Sequence, residues 1–323
     1  MQVLWFAIAG LLAQLVDGTL GMGFGITSST ALVILGATPV AASAAVHFAE
    51  LGTTLASGAS HWRAGNVDTR VVKWLGIGGG VGAFAGATVL SQVSLSGAKT
   101  AMSSILLLLG FVLVARFGFN ARLIPQIQGK PRAKMLIPLG VFAGFFDASG
   151  GGGWGPITTP TLLSVSDQTK PRTVVGTVSA SEFIVSACAS LGFVLGASTS
   201  GLDWQVIAGL LIGGVLMAPF AAVVAGRLPH APFGALIGGM VILTNGRTVL
   251  LALGAPGGLI PWFVAVIAIA AVTLSWRAWQ RERRVGVEER DLDLLRGRTN
   301  VFVQIHRRRR RQLRDFLGQG LGG

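Results

Sequence analysis

Long apolar segments follow one another along most of the chain and are separated by short polar connections. A helix rises about 1.5 Å per residue, so about 20 apolar residues cross a hydrocarbon core of about 30 Å. The unbroken segments that we predict as membrane-spanning helices are residues 40–60, 71–90, 101–115, 171–196, 204–225, 233–253 and 259–276. The pattern therefore predicts an all-α polytopic membrane protein with about eight or nine transmembrane segments.

Glycine-rich runs interrupt two further apolar segments and predict broken helices. Residues 3–35 contain Asp17 and a diluted glycine run, and residues 135–165 contain Asp147 and the consecutive glycines 150–153. A straight helix over residues 3–35 would be about 50 Å long, so a hairpin of two short helices fits better. Non-helical backbone at membrane depth is tolerated only where protein buries it or where it lines a wet cavity. Such breaks are typical of transport sites.

The second half of the chain repeats the acidic residues and glycines of the first half. The residue pairs that align, with small changes of offset, are Asp17 with Asp147, Gly21 with Gly151, Gly23 with Gly153, Gly25 with Gly155, Pro39 with Pro171, Glu50 with Glu182 and Asp68 with Asp203. Seven acidic residues precede the C-terminal tail, and six of them form three such pairs. A carboxylate at the bilayer centre costs about 2.5 kcal/mol or more, so paired carboxylates in spans favour a function. We therefore predict an internal repeat.

Basic residues in the short loops predict which side of the membrane each loop faces. Loops rich in Lys and Arg remain in the cytoplasm, which places the central linker and the C-terminal tail there. Eleven of the thirteen basic residues before the tail then lie on the cytoplasmic side, with Lys99 and Arg247 as exceptions. This assignment requires the broken helix of the second half to return to its starting side. We predict two inverted-topology repeats, each with a broken or hairpin first helix plus three spans, and one extra C-terminal span.

Composition agrees with this organisation. The mean hydropathy is +0.66 and 12% of the residues are charged, whereas about 25% are charged in soluble domains. The predicted units are a first repeat at residues 1–116, a basic cytoplasmic linker at 117–134, a second repeat at 135–254, an extra transmembrane helix at 258–280 and a basic cytoplasmic tail at 281–323. We expect the tail to contact anionic membrane lipid. We do not expect it to bind nucleic acid, because its arginines are not interleaved with aromatic residues.

The glycine run of the second half has a distinctive sequence. Residues 144–162 read Gly-Phe-Phe-Asp-Ala-Ser-Gly-Gly-Gly-Gly-Trp-Gly-Pro-Ile-Thr-Thr-Pro-Thr-Leu, which resembles the signature of the TauE/SafE sulfite exporter family, also called the toluene-sulfonate uptake permeases. Residues 17–25 and 65–68 carry the first-half counterpart, in which Met22 and Phe24 dilute the glycines. The resemblance implies transport of small sulfur-containing anions, sulfite or organosulfonates, across the bacterial inner membrane. It implies no bound organic cofactor.

The two glycine breaks together could form an anion site. A helix that begins inside the membrane presents free N–H groups and about half a positive charge, and glycine lets the backbone approach the anion closely. The predicted substrate-binding residues are Asp17, Gly21, Gly23, Gly25, Thr27, Asp147, Gly151, Gly152, Gly153, Trp154 and Thr158. The alternative for the glycines is that they permit close helix crossing. Asp17 and Asp147 either exchange a proton or cap the second half of each broken helix.

Polar residues in the middle of two spans suggest proton coupling. His47 precedes Glu50 by three residues and shares its helix face, and Ser179 takes the place of the histidine before Glu182. Histidine titrates near neutral pH, so we predict that His47, Glu50, Ser179 and Glu182 couple transport to protons. The alternative is a satisfied polar contact between helices. No metal site is expected.

These patterns predict a secondary transporter rather than an enzyme. No nucleophile–base pair, metal constellation or phosphate-binding loop of an ATPase is found in the sequence. The alternative function is a non-transporting membrane scaffold or sensor that acts through the Arg-rich tail. Deletion of residues 281–323 would distinguish the two, because a transporter should keep its flux. A homo-oligomer is compatible with either function.

Overall fold

The structure is a computed structural model that describes residues 2–20, 22–121, 131–165, 171–196, 202–224 and 230–284. These residues form helices and connecting turns, and no strand occurs among them. The helices are α1 Gln2–Leu20, α2 Phe24–Ile34, α3 Pro39–Arg63, α4 Thr69–Gln92, α5 Leu95–Leu113, α6 Ala133–Gly150, α7 Trp154–Val165, α8 Pro171–Gly196, α9 Trp204–Val224, α10 His230–Ala252 and α11 Leu259–Arg284. A π-helical turn, Val114–Gly118, extends α5.

Six of the described helical stretches are long and apolar enough to cross a membrane. They are Thr69–Gln92, Leu95–Gly118, Thr173–Gly196, Trp204–Ala221, Ala231–Ala252 and Leu259–Arg284. Helix α3 has 25 residues, which also suffices to cross, but it is less apolar because it carries buried polar side chains such as His47 and Glu50. The prediction of an all-α polytopic membrane protein is confirmed at the level of fold class.

Glycines bring several helices into direct backbone contact. The main packing pairs are α1 with α9, α4 with α6, α4 with α8, α3 with α8 and α5 with α10. A Cβ added at Gly213 of α9 would lie 1.9 Å from the carbonyl oxygen of Ala7 in α1. A Cβ added at Gly82 of α4 would lie 2.1 Å from the carbonyl oxygen of Val141 in α6. These contacts are the close crossings that small residues permit between helices in a membrane.

The order of contacts along these pairs fixes the relative directions of the helices. The contacts between α4 and α6 are Gly78 with Ile137, Gly82 with Val141 and Gly86 with Phe145, so these two helices are parallel. The contacts between α3 and α8 are Glu50 with Ser186, Gly58 with Ala180 and His61 with Gly176, so these two are antiparallel. The contacts between α5 and α10 are Gly110 with Ile242, Leu113 with Gly238 and Phe117 with Gly234, so this pair is antiparallel as well.

Both predicted helix breaks are present. Helix α1 ends at Leu20 and α2 begins at Phe24, while α6 ends at Gly150 and α7 begins at Trp154. In the second break Gly151 and Gly152 have φ of +72° and +146°, a region that side chains with a Cβ avoid. The indole of Trp154 then donates to the carbonyl of Val178 at 3.2 Å, so α7 begins beside the middle of α8. Only five residues join the end of α7 to the start of α8, so α7 runs back along α8. Helix α8 is parallel to α4, because Gly76 contacts Ile184 and Gly196 contacts Ser91, and α4 is parallel to α6; α7 therefore runs opposite to α6.

Aspartates cap the N-termini of two of the spans. The Asp68 carboxylate accepts from the backbone N–H groups of Arg70 and Val71 at 3.0 and 3.2 Å at the start of α4. The Asp203 carboxylate accepts from Gln205 and Val206 at 2.9 and 3.4 Å at the start of α9. Each aspartate therefore satisfies N–H groups that have no partner within the first helical turn.

Helix α11 continues beyond the predicted end at residue 276. The Arg281 guanidinium donates to the carbonyls of Phe117 and Gly118 at 2.8 and 3.3 Å, at the end of the π-helical turn. The Glu282 carboxylate accepts from the backbone N–H of Ala231 at 3.2 Å, near the start of α10. The end of α11 is therefore attached to the end of α5 and to the start of α10.

Candidate functional site

The two helix breaks contact each other in the interior of the protein. A Cβ added at Gly25 would lie 2.6 Å from the Cα of Gly152, and one added at Gly152 would lie 2.2 Å from the backbone nitrogen of Ile26. The hydroxyl of Ser29 donates to the carbonyl oxygen of Gly151 across the contact. Glycine is required on both sides because any side chain would separate the two backbones.

Asp147 organises the second break. Its carboxylate oxygen Oδ1 accepts from the backbone N–H groups of Gly153 and Trp154 at 2.7 and 3.0 Å. Its own carbonyl oxygen accepts from the N–H groups of Gly151 and Gly152 at 2.7 and 3.0 Å. The residue is only 1% exposed. One aspartate thus holds both the end of α6 and the start of α7, which is the capping role that the sequence suggested.

Asp17 occupies the equivalent place in the first break. Its Oδ1 accepts from the backbone N–H of Phe24, the first residue of α2, at 3.4 Å. This hydrogen bond is long, so the first break is held less tightly than the second. The predicted site residue Gly21 lies outside the described residues.

His47 pairs with Asp147 across the two halves of the chain. The Nε2 atom of the ring lies 3.1 Å from Oδ2 of Asp147, and Nδ1 lies 2.7 Å from the carbonyl oxygen of Ser43. A carbonyl only accepts, so Nδ1 must carry a hydrogen. The remaining labile proton is then shared between Nε2 and the carboxylate, either as an imidazolium with a carboxylate or as a neutral pair. The hydroxyl of Ser43 also donates to the carbonyl of Ala148 at 2.6 Å.

Glu50 lies beside this pair and faces the first break. Its Oε2 accepts from the hydroxyl of Ser186 at 3.1 Å, and its Oε1 lies 3.3 Å from the position of a Cβ at Gly25. One ligand atom each from His47, Glu50 and Asp147 lies within 4.8 Å of the others, a spacing that would also suit a metal ion. The direct contact between His47 and Asp147 gives these two groups a partner without a metal.

Two adjacent cavities adjoin the breaks. We call the first the break cavity; it is lined by Gly23, Gly25, Ile26, Asp147, Gly152, Trp154, Gly155, Pro156 and Glu182. We call the second the carboxylate cavity; it is lined by Gln14, Asp17, Phe24, Glu50, Thr53, Thr54, Ser57, Ser179 and Glu182. Glu182 belongs to both and therefore stands between them. No Lys or Arg is among the described residues that line either cavity.

Three backbone N–H groups at the break cavity have no acceptor among the residues that the structure describes. In α2, the N–H of Phe24 is bound by Asp17 and that of Thr27 by the carbonyl of Gly23, but no acceptor among the described residues meets those of Gly25 and Ile26. In α7, the N–H of Gly155 likewise has none within the described part of the chain, and the next residue is a proline. Buried N–H groups rarely lack a partner, so these donors point to a ligand.

The remaining predicted residues have local partners. The hydroxyls of Thr27 and Thr158 each donate to the carbonyl four residues earlier at 2.6 Å. Trp154 is fully buried, and a Cβ on Gly79 would lie 2.5 Å from its ring. Ser179 lines the carboxylate cavity with its predicted partner Glu182. Three residues that the sequence did not single out also join the halves: Ser29, Ser43 and Ser186.

Comparison with known proteins agrees with the geometry. The family described as "Sulfite exporter TauE/SafE" matches residues 6–248. The "Probable membrane transporter protein YtnM" of Bacillus subtilis (strain 168) is 45% identical over 252 residues, which cover 77% of this chain and 83% of that protein. No solved structure gives a significant match. The chain therefore belongs to the TauE/SafE family of multi-pass membrane transporters.

Proposed function

We propose that the protein is a secondary transporter of small sulfur-containing anions, sulfite or organosulfonates, which bind between the two helix breaks. The observation that carries this proposal is the convergence of the N-termini of α2 and α7 on one cavity, where three buried N–H groups have no acceptor among the described residues. Each N-terminus adds about half a positive charge from the helix dipole. Backbone N–H groups at helix N-termini are common ligands of sulfate-like anions.

The charges around the break cavity support coupling to protons. The anion would bind next to the carboxyl groups of Asp147 and Glu182, and an ionised carboxylate repels an anion. Protonation removes that repulsion, so an anion and a proton bind more strongly together than apart. His47 shares a proton with Asp147, and Glu50, Ser179 and Glu182 extend the polar path into the carboxylate cavity. We therefore assign these four residues, His47, Glu50, Ser179 and Glu182, to proton coupling.

The helix contacts support an inverted repeat. Helices α1 to α5 of the first repeat would correspond to α6 to α10 of the second. The pair α1 with α9 then corresponds to the pair α6 with α4, and in both pairs the two helices pack against each other in the structure. In the pairs α3 with α8 and α5 with α10, each helix packs on its own counterpart from the other repeat, and both pairs are antiparallel. A two-fold axis relates two antiparallel helices to each other when it is perpendicular to them. Such an axis lies in the membrane plane, and rocking of one repeat against the other would alternate access to the site.

The membrane orientation that we propose follows from the charged connections. Arg281 and Glu282 hold the end of α11 to the end of α5 and the start of α10, so these three termini share one face of the protein. The basic linker and the Arg-rich tail follow two of those termini, which favours the cytoplasm for this face. We propose the bacterial inner membrane as the location, with the tail touching anionic lipid.

Flux measurements on the purified protein in liposomes test the proposed substrate class. Sulfite, thiosulfate, sulfoacetate and an aryl sulfonate are supplied in turn, with and without an imposed pH gradient, and protein-free liposomes serve as the control. We expect saturable flux of at least one of these anions and a faster flux when protons move with it. If none of the four moves above the control, the proposed substrate class is wrong.

A further inference from the structure

The carboxylate cavity presents oxygen atoms, whereas the break cavity presents N–H groups. We propose that the carboxylate cavity binds a sodium ion, which acts as a second coupling ion of the transporter. Only the role in coupling rests on the transport function proposed above; the binding of the ion does not. Sodium and other hard cations are bound in proteins by carboxylate, carbonyl, hydroxyl and water oxygens.

The acidic side chains that line this cavity favour the binding of a cation. Asp17, Glu50 and Glu182 all line it, and no Lys or Arg does so among the described residues. His47, a basic group within 4.8 Å of Glu50, is already in contact with Asp147. Helix α1 ends three residues beyond Asp17, so the negative end of its dipole adds to the field. Carboxylates this close together repel one another unless a proton or a cation lies between them.

Two neutral side chains in the cavity favour a metal cation over a proton as the bound positive charge. Gln14 and Thr53 line the cavity and are only 3% and 1% exposed. Neither side chain forms a hydrogen bond with another described residue, so the polar atoms of both are left to a group bound in the cavity. A protonated carboxyl donates one O–H, which can meet only one neighbouring oxygen. A cation can contact the amide oxygen of Gln14 and the hydroxyl of Thr53 together with the carboxylates, and so gives both neutral oxygens a partner.

The internal repeat gives two equivalent half-sites, one around Asp147 and one around Asp17, and only the half-site around Asp17 needs this ion. In one half-site His47 neutralises Asp147 of the other repeat. At the equivalent position of the second repeat is Ser179, which lines the carboxylate cavity together with Asp17 and carries no charge. A sodium ion there would supply the positive charge that the imidazole supplies in the other half-site. A singly charged ion also suits a transport cycle, because it must leave the site again.

Direct binding of ²²Na⁺ to the purified, detergent-solubilised protein tests the site without any anion present. The pH and the ionic strength are held constant with choline chloride. We expect saturable binding that unlabelled Na⁺ displaces and choline does not. The variants Thr53→Val and Gln14→Leu should bind at least about tenfold more weakly, whereas Thr88→Val, which removes a helical hydroxyl on α4 away from both cavities, should bind like the wild type. Absence of saturable binding to the wild type, or unchanged binding to Thr53→Val, would overturn the proposal.

Flux in liposomes then separates this site from the proposed transport function. At constant pH, replacement of choline by Na⁺ on the anion side should raise anion flux about tenfold. Equal flux in Na⁺ and in choline would show that the sodium ion takes no part in coupling. Saturable Na⁺ binding without flux of any anion would instead leave the ion site in place and contradict the proposed substrates.

Discussion

At the scale of single residues, Asp147 combines the two roles that the sequence left as alternatives. Its Oδ1 caps α7 through the N–H groups of Gly153 and Trp154, and its Oδ2 faces Nε2 of His47. A cap needs only an acceptor oxygen, whereas the shared proton needs an ionisable group. The two roles can therefore be separated by substitution.

Replacement of Asp147 should affect stability and proton coupling differently according to the new side chain. Asp147→Ala leaves two buried N–H groups without an acceptor, at about 1 to 3 kcal/mol each, and should lower the thermal unfolding midpoint in detergent. Asp147→Asn keeps an acceptor oxygen, so it should retain most of the stability but lose the pH dependence of flux. Asp203→Asn, at a cap outside both cavities, should keep that pH dependence. Equal destabilisation by Ala and Asn would show that Asp147 is not a cap.

The contact between His47 and Asp147 could not have been predicted from the sequence. The two residues are 100 positions apart and belong to different halves of the chain. Spacing along a helix reveals only neighbours on the same helix, which is why the pattern indicated Glu50 as the partner of His47. Glu50 does lie next to the pair, but its hydrogen bond goes to Ser186. A serine in a span gives no sequence signal that separates it from other small residues.

At the scale of elements, the long apolar segments and the glycine runs predicted the helices well, and tertiary contacts explain the differences. The predicted helix at residues 171–196 matches α8, and both breaks occur at their glycine runs. Helix α5 begins at Leu95 rather than at residue 101, because the Ser94 hydroxyl accepts from the N–H of Gly97 and starts the helix early. Helix α11 runs on to Arg284, because Arg281 and Glu282 bind other helices. A hydropathy pattern contains no information about such long-range contacts.

The breaks themselves differ from the expectation in one respect. The sequence predicted that the N–H groups freed by each break would be available to an anion. In the structure, Asp17 and Asp147 already bind the first N–H groups of α2 and α7. The donors that have no acceptor within the described ranges come from the second and third residues of α2 and the second of α7. The aspartates therefore order the backbone, and the following residues present the free donors.

At the scale of the whole molecule, the two halves of the chain interlock. The broken helix of each half packs on the other half, as α1 does on α9 and α6 does on α4. Polar contacts also cross between the halves, from Ser29 to Gly151 and from Ser43 to Ala148. Movement of one half against the other would therefore change the geometry of both breaks at once.

Cysteine labelling can test the membrane topology in a Cys188→Ser background. If α6 and α7 form a hairpin, one crossing separates Arg132 from Gln205, and the two lie on opposite sides; a single broken span would place them on the same side. We expect a membrane-impermeant maleimide to label Gln205→Cys in intact spheroplasts and Arg132→Cys only after permeabilisation. The pair Leu35→Cys and Ala64→Cys, at the two ends of α3, calibrates the two sides. Labelling of Arg132→Cys and Gln205→Cys from the same side would contradict the hairpin.

The most direct test of the central claim is the flux of sulfite through liposomes that contain glycine variants at the contact between the breaks. A Cβ at Gly25 or at Gly152 would push the two backbones apart, and Gly152 also has a φ that alanine avoids. A displacement of about 1 Å at a binding site reduces rates about 100-fold, so Gly25→Ala and Gly152→Ala should lose flux by that factor at equal protein density. Gly257→Ala, where nothing lies within 4 Å of the added Cβ, should retain the wild-type flux. Wild-type flux through either break variant would contradict an anion site between the two helix breaks.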